Sequence, residues 1–333
     1  MATARRRREL GRGERVLPGV WRLRVPLPWP GVPHGNAWAL AAGDGVVLVD
    51  TGWHGPGSMA HLERAMDMVG LRVEHVRLLV CTHAHSDHYG QAGPIIDRAG
   101  CELWLHPRHE HMTRAAQDPA AYFELRIEIA RQSGVPEATL ARLRDTRGAE
   151  GPGIARVVEP DRELVDGVTF ATDLGTWHTL ETPGHAPSHV CFFQPERRLL
   201  ISGDHLLGRV SLYYDYGWTP DPAGEFLSSL DKVEDLDARL CLAGHGRTFT
   251  DVRAHIHANR ALVAERLQRA RQALAAGEPL LTAYEVIPHV YGEPVTPETG
   301  RWRLNETLCY LTHLERTGRA RRIAGQPDTW TTL

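Results

Sequence analysis

His83-Ala84-His85-Ser86-Asp87-His88 packs four side chains of metal-ligating type into six residues, directly after the apolar run 76–81 (VRLLVC). Neutral imidazole and carboxylate are ligands that zinc, iron and manganese all accept. With histidine at 19 of 333 positions, an HxHxDH pattern arises by chance in such a chain with a probability of roughly 0.004, so the motif is specific. The apolar run is short enough for a buried strand, and the strand hands its chain to the motif.

One such cluster leaves a metal under-coordinated, so further ligands are expected where other strands end. Three segments fit. Thr182-Pro183-Gly184-His185 follows the strand-like run 177–181, Ser202-Gly203-Asp204-His205 follows 198–202, and Ala243-Gly244-His245-Gly246 follows 240–243. In each, a glycine lets the backbone turn sharply and approach a site closely. Upstream, Asp50-Thr51-Gly52 closes a hairpin that spans residues 36–50 around Gly43-Asp44-Gly45.

Strands alternate with helical patterns in both halves, which predicts an α/β sandwich with helices outside. Residues 1–16, with Arg5, Arg6, Arg7 and Arg8, read as a disordered basic arm; residues 17–250 read as the main domain. Within it, residues 108–147 are charged and helix-favouring, an inserted helical element with Tyr122, Phe123, Leu125, Ile129 and Ala130 on one face. Residues 251–333 form a separate pattern: a long amphipathic helix stopped by Gly277, two further helices and a terminal strand-like stretch. That order is winged-helix-like.

The five segments around Asp50, His83–His88, His185, Asp204 and His245 resemble the metallo-β-lactamase superfamily over about residues 17–250. The resemblance implies a four-layer αββα metallo-β-lactamase sandwich with a small C-terminal helical, winged-helix-like domain. It implies a first metal on His83, His85 and His185, a second on Asp87, His88 and His245, and Asp204 bridging the two. Asp50 is implied as a residue that orients the ligands; His189, four residues after His185, is a candidate for the same role, and the chemistry of the ligand set makes Asp87 a candidate proton relay in catalysis. Two divalent ions sharing a carboxylate and a hydroxide, with zinc expected and iron or manganese as alternatives, suit attack on a carbonyl or phosphorus centre. The antibiotic-degrading enzymes most often carry Cys at the position of Asp204; the aspartate resembles instead the glyoxalase II, lactonase and RNA-processing branches. The tail resembles the winged-helix domain appended to β-lactamase-like proteins.

The expected activity is hydrolysis of a small acyl substrate, a thioester or lactone. An RNA phosphodiesterase, an iron-dependent oxidoreductase of the persulfide dioxygenase type and a metal-sensing transcription regulator are the alternatives. Tyr213, Tyr214, Tyr216 and Trp218 crowd one loop after Asp204 and are candidates to line the substrate pocket. The basic residues of the tail, among them Arg303, Arg316, Arg319 and Arg322, are broken by Glu306 and Glu315 and lack stacking aromatics, which favours a capping or homodimerising tail over a nucleic-acid reader. A formal net charge of -3 supplies no global field to recruit nucleic acid or an anionic membrane. Without an apolar run of spanning length or a signal-peptide core, a cytoplasmic protein that does not engage a membrane is expected. The five cysteines are scattered and never paired as CxxC, so buried free thiols are expected.

Overall fold

The computed structural model describes residues 10–29, 31–145, 152–276 and 280–333. The arginine run of the arm and Gly277 lie outside the described residues. The sandwich begins inside the stretch read as an arm, because β1 (Arg12–Leu17) pairs antiparallel with β2 (Val20–Pro26). Gly11 and Gly13 serve close approach. A Cβ on them would lie 1.8 Å and 1.9 Å from the backbone oxygens of His61 and Ala65 in helix α1 (Ser58–Asp67).

The first sheet continues in chain order through β3 (His34–Ala42), β4 (Gly45–Val49), β5 (Val76–Val80), β6 (Glu102–Leu105) and β7 (Arg162–Glu163). It is antiparallel as far as β4 and parallel beyond. The second sheet runs β8 (Thr169–Thr172), β9 (Gly175–Glu181), β10 (Val190–Gln194), β11 (Leu199–Gly203) and β12 (Leu240–Ala243), with only β11 and β12 parallel.

Side-chain alternation explains the layering. On β4, Val47 and Val49 face the second sheet while Val46 and Leu48 face helices; on β10, Val190 and Phe192 face the first sheet while Cys191 and Phe193 face away. Trp38 and Trp177, both fully buried, lie in the layer between the sheets. Each such side chain contributes roughly 1.5–3 kcal/mol of transfer free energy or more. Outside the first sheet lie α1, the single turn α2 (Ser86–Tyr89) and α3 (Ala92–Ala99), with Leu62, Met66 and Ile95 buried against it. The αββα sandwich is therefore realised.

The insert folds as α4 (Glu110–Gln117), α5 (Pro119–Gln132) and α6 (Glu137–Asp145). Asp118 caps α5, its Oδ1 accepting from the Ala121 N–H at 2.9 Å. The buried face of α5 differs from the expected one. Ile127 and Ala130 are buried, with Phe123 and Ile129 half-buried against them, whereas Leu125 is 53% exposed. The spacing 123, 127, 130 follows one helical stripe, and Leu125 lies off it.

The outer face of the second sheet is covered by α7 (Pro222–Glu234) and by the C-terminal helices α8 (Val252–Ala275), α9 (Ala283–Tyr291) and α10 (Pro297–Arg316). A hairpin of β13 (Ala320–Ile323) and β14 (Thr329–Thr332) follows. The tail has the expected order of elements, but it shares its core with the sandwich. Cys191, Leu200 and Cys241 of the sheet, Ile127 of the insert and Val286, Leu308, Leu311 and Trp330 of the tail belong to one continuous cluster. All five cysteines are buried and free. Among the described residues no helix is long and apolar enough to cross a membrane.

Candidate metal centre

Five strand ends converge at one edge of the sandwich. Asp50 follows β4, the His83–His88 motif follows β5, His185 follows β9, Asp204 follows β11 and His245 follows β12. Glycines permit the approach. A Cβ on Gly244 would lie 2.3 Å from Asp204 Oδ1 and 2.8 Å from His88 Cε1.

The histidines form two groups. His83 Nε2 and His185 Nε2 each lie 3.0 Å from His85 Nδ1. In the second group, His245 Nε2 is 3.1 Å from Asp87 Oδ2, and His88 Nε2 is 3.5 Å from the same oxygen. Asp204 spans the two, with oxygens 3.2 Å from His245 Nε2, 3.4 Å from His88 Nε2 and 3.8 Å from His185 Nε2.

The other nitrogen of each ring has an acceptor, which fixes its tautomer. His88 Nδ1 donates to Asp50 Oδ2 (2.9 Å), His185 Nδ1 to the Tyr213 carbonyl (3.2 Å), His245 Nδ1 to the His34 carbonyl (3.1 Å) and His85 Nε2 to Asp215 Oδ2 (2.8 Å). His83 Nδ1 lies 3.0 Å from Thr82 Oγ1, whose hydroxyl reaches Asp50 at 2.9 Å. The hydroxyl proton goes to the carboxylate, so His83 Nδ1 is the donor in its own bond. All five imidazoles thus anchor one nitrogen outward and turn the other towards the centre.

The charge pattern separates the groups. Burial, aided by the neighbouring imidazoles, holds His83 far below the ordinary histidine range and brings His185 to about 4. Burial also opposes a charged His88 or His245, but Asp87 and Asp204 outweigh it, holding His88 well up and His245 at about 10. Both carboxylates are correspondingly held ionised by the two rings, against their own burial. Asp215 draws His85 the other way, raising it against its own burial; imidazoles held neutral beside a group that attracts positive charge suit divalent cations. His88 Nε2 and Asp204 Oδ1 are buried without a hydrogen-bond partner, as atoms reserved for an ion would be.

The remaining sequence candidates fall around this centre. Asp50 accepts from Thr82 and His88, and His189 accepts from the Asp204 backbone N–H at 3.1 Å while pairing with Thr182 Oγ1 at 2.8 Å. The Tyr213 ring stands edge-on to His85 and His185, with centroids 5.8 Å and 5.6 Å away. Trp218 lies further out, 6.3 Å from His111. Tyr216 is half-buried against the outer core, and Tyr214 is fully buried between Phe226 and Tyr310.

Sequence reasoning missed Asp215, His111 and Ser188. Asp215 receives His85 Nε2 and lies 2.9 Å from His111 Nδ1; the other ring nitrogen of His111 meets Ser188 Oγ at 2.7 Å. Ser188 in turn accepts from the Ala84 backbone N–H, inside the motif itself. None of the three carries a spacing signal, because they reach the motif only through tertiary structure.

Comparison with known proteins identifies the family. The model of the metallo-β-lactamase superfamily matches residues 30–245. A protein named Beta-lactamase-like protein 2 homolog from Caenorhabditis elegans is 26% identical over 240 residues, covering 72% of this chain and 65% of the relative, just under two thirds of its length. An Atrochrysone carboxyl ACP thioesterase from Aspergillus chevalieri is 31% identical over 290 residues, covering 84% and 75%. The crystal structure of a metallo-beta-lactamase family protein from Thermus thermophilus superposes with a TM-score of 0.81 at 29% identity, covering 96% of this chain and all of that one, so the likeness includes the C-terminal helices. The chain belongs to the metallo-β-lactamase superfamily and is a hydrolase of that fold.

Proposed function

We propose that this hydrolase cleaves a small acyl substrate, a thioester or lactone, at a centre of two divalent metal ions, zinc foremost. His83, His85 and His185 would hold one ion, Asp87, His88 and His245 the other, and Asp204 both. The observation that carries the reading is the fixed tautomer of five imidazoles, each with its free nitrogen turned to a shared centre beside Asp87 and Asp204. When bound, the ions would lower the pKa of water to give a nucleophile near neutral pH and polarise the acyl oxygen.

The protein's own groups do the rest. Asp50 and Asp215 keep His88 and His85 in the ligating tautomer throughout turnover. Asp87 is held ionised by His88 and His245 and accepts a proton only transiently, which suits a relay to the departing thiolate or alkoxide. The Tyr213 ring offers an apolar wall beside the first group of histidines, against which an acyl chain can lie.

The thioesterase name of the 31%-identical relative supports the acyl reading. Charge in the tail supports it over RNA cleavage, since Arg303 is paired with Glu293 and Arg322 with Asp328. The test is a hydrolysis panel of acyl thioesters, lactones and an RNA oligonucleotide on protein of known metal content. Turnover of a thioester or lactone is expected; cleavage of RNA with a silent acyl panel would overturn the proposal.

A further inference from the structure

The first group of histidines is tied to a helix near the far end of the chain. Tyr213 Oη donates to Asp215 Oδ1 at 3.1 Å, Asn305 Nδ2 on α10 donates to Tyr213 Oη at 3.1 Å, and Arg126 on α5 donates to Asn305 Oδ1. Asn305 is 2% exposed and Asp215 9%.

Residue chemistry sets the direction of every bond in this chain. A guanidinium only donates, so Asn305 must turn its oxygen to Arg126 and its NH2 to Tyr213. The tyrosine oxygen therefore accepts from Asn305 and spends its one proton on Asp215. An ionised carboxylate only accepts, so Asp215 takes the Nε2 proton of His85 and leaves Nδ1 free at the centre. The same tripeptide holds His185 from both sides: the Tyr213 carbonyl accepts from His185 Nδ1, and the Asp215 N–H donates to the His185 carbonyl at 3.1 Å.

We propose that Asn305 is a positioning residue of the metal centre, acting through Tyr213 and Asp215 on His85 and His185, and that α10 and α5 are thereby part of that centre. This rests on the metal-centre reading of the site but on no particular substrate. Orienting partners of this kind are worth about 10- to 100-fold in metal affinity. Asn305→Asp is the discriminating change. It keeps the shape and the arginine contact but cannot donate to Tyr213, whose proton is then drawn from Asp215 to the new carboxylate. Tyr213→Phe removes the same link and keeps the ring. Leu308→Ala, on α10 and buried in the shared core, weakens packing without touching the chain of bonds.

The full-length protein is stripped of metal and titrated with Co2+, reading affinity by chelator competition and ligand geometry by the visible absorption bands. Melting temperature of the metal-free forms is recorded alongside. Asn305→Asp and Tyr213→Phe should each lose about tenfold or more in the affinity of one Co2+ and shift its bands, whereas Leu308→Ala should lower the melting temperature and leave both readouts unchanged. Wild-type affinity and spectrum in Tyr213→Phe and in any folded Asn305→Asp would overturn the proposal, as would an equal loss in Leu308→Ala. A wild-type protein that binds no Co2+ would overturn the metal-centre reading as well, which separates the two failures.

Discussion

Asp50 Oδ2 lies 2.9 Å from His88 Nδ1, and both residues are 1% exposed. Asp50 also accepts from the Thr82 backbone and hydroxyl, so a single carboxylate sets the tautomers of His88 and, through Thr82, of His83. Its backbone is left-handed, at φ 63°, a conformation asparagine also tolerates. Asp50→Asn should therefore fold, but its amide NH2 would meet a donor. Metal affinity should fall by about 10- to 100-fold, read by chelator competition; unchanged affinity would remove Asp50 from the centre.

Gly244 tests the geometry of the centre without altering a ligand. The methyl of Gly244→Ala would intrude on Asp204 and His88, the two side chains nearest to it. The variant should retain its circular dichroism spectrum and lose at least one bound ion per chain by elemental mass spectrometry. Full metal content would mean that the two ligands are not held as described.

The tail carries a buried carboxyl, Glu306, paired with Arg266 and accepting from Tyr310 Oη at 3.2 Å. Burial raises its pKa to about 7, against the pull of Arg266. Between an ordinary glutamate pKa near 4.5 and about 7, the folded state keeps a proton that the unfolded state has lost, so this group lowers stability as pH rises through that window. Glu306→Gln removes the dependence. The melting temperature of the wild type relative to the variant should fall between pH 5 and pH 8; a constant difference would contradict the assignment.

Truncation after Ala276 would remove α9, α10 and the hairpin, and with them Val286, Leu308, Leu311 and Trp330 from a core shared with the second sheet. Loss of several buried apolar side chains at about 2–5 kcal/mol each exceeds the stability of a typical domain. The truncated chain should be insoluble or melt without cooperativity. A cooperative unfolding transition would show that the sandwich stands alone.

The sandwich and its convergent strand ends were legible because ligands and turn glycines are local features. HxHxDH after an apolar run, and Gly-His or Gly-Asp at the ends of three later strands, identify themselves by spacing. What supports the ligands was not legible. Asp215 lies in a loop read for its aromatic rings, His111 in an insert read for helix periodicity, and Asn305 on an ordinary amphipathic helix; their roles depend on contacts across 77 to 130 positions or on the relay through Tyr213. The arm and the tail show the same limit. Residues 11–16 read as part of a disordered arm, yet α1 packs against Gly11 and Gly13, and the tail's share in the second sheet's core likewise depends on tertiary contact.

The most direct test of the central claim is elemental mass spectrometry of the purified protein and of Asp204→Ala, with thioester and lactone hydrolysis assayed on the same samples. The wild type should carry close to two divalent ions per chain and turn over a member of the panel, and Asp204→Ala should fall towards one ion and lose turnover. Equal metal content and equal activity in the two proteins would contradict the assignment of Asp204 as the bridge and, with it, the dinuclear centre.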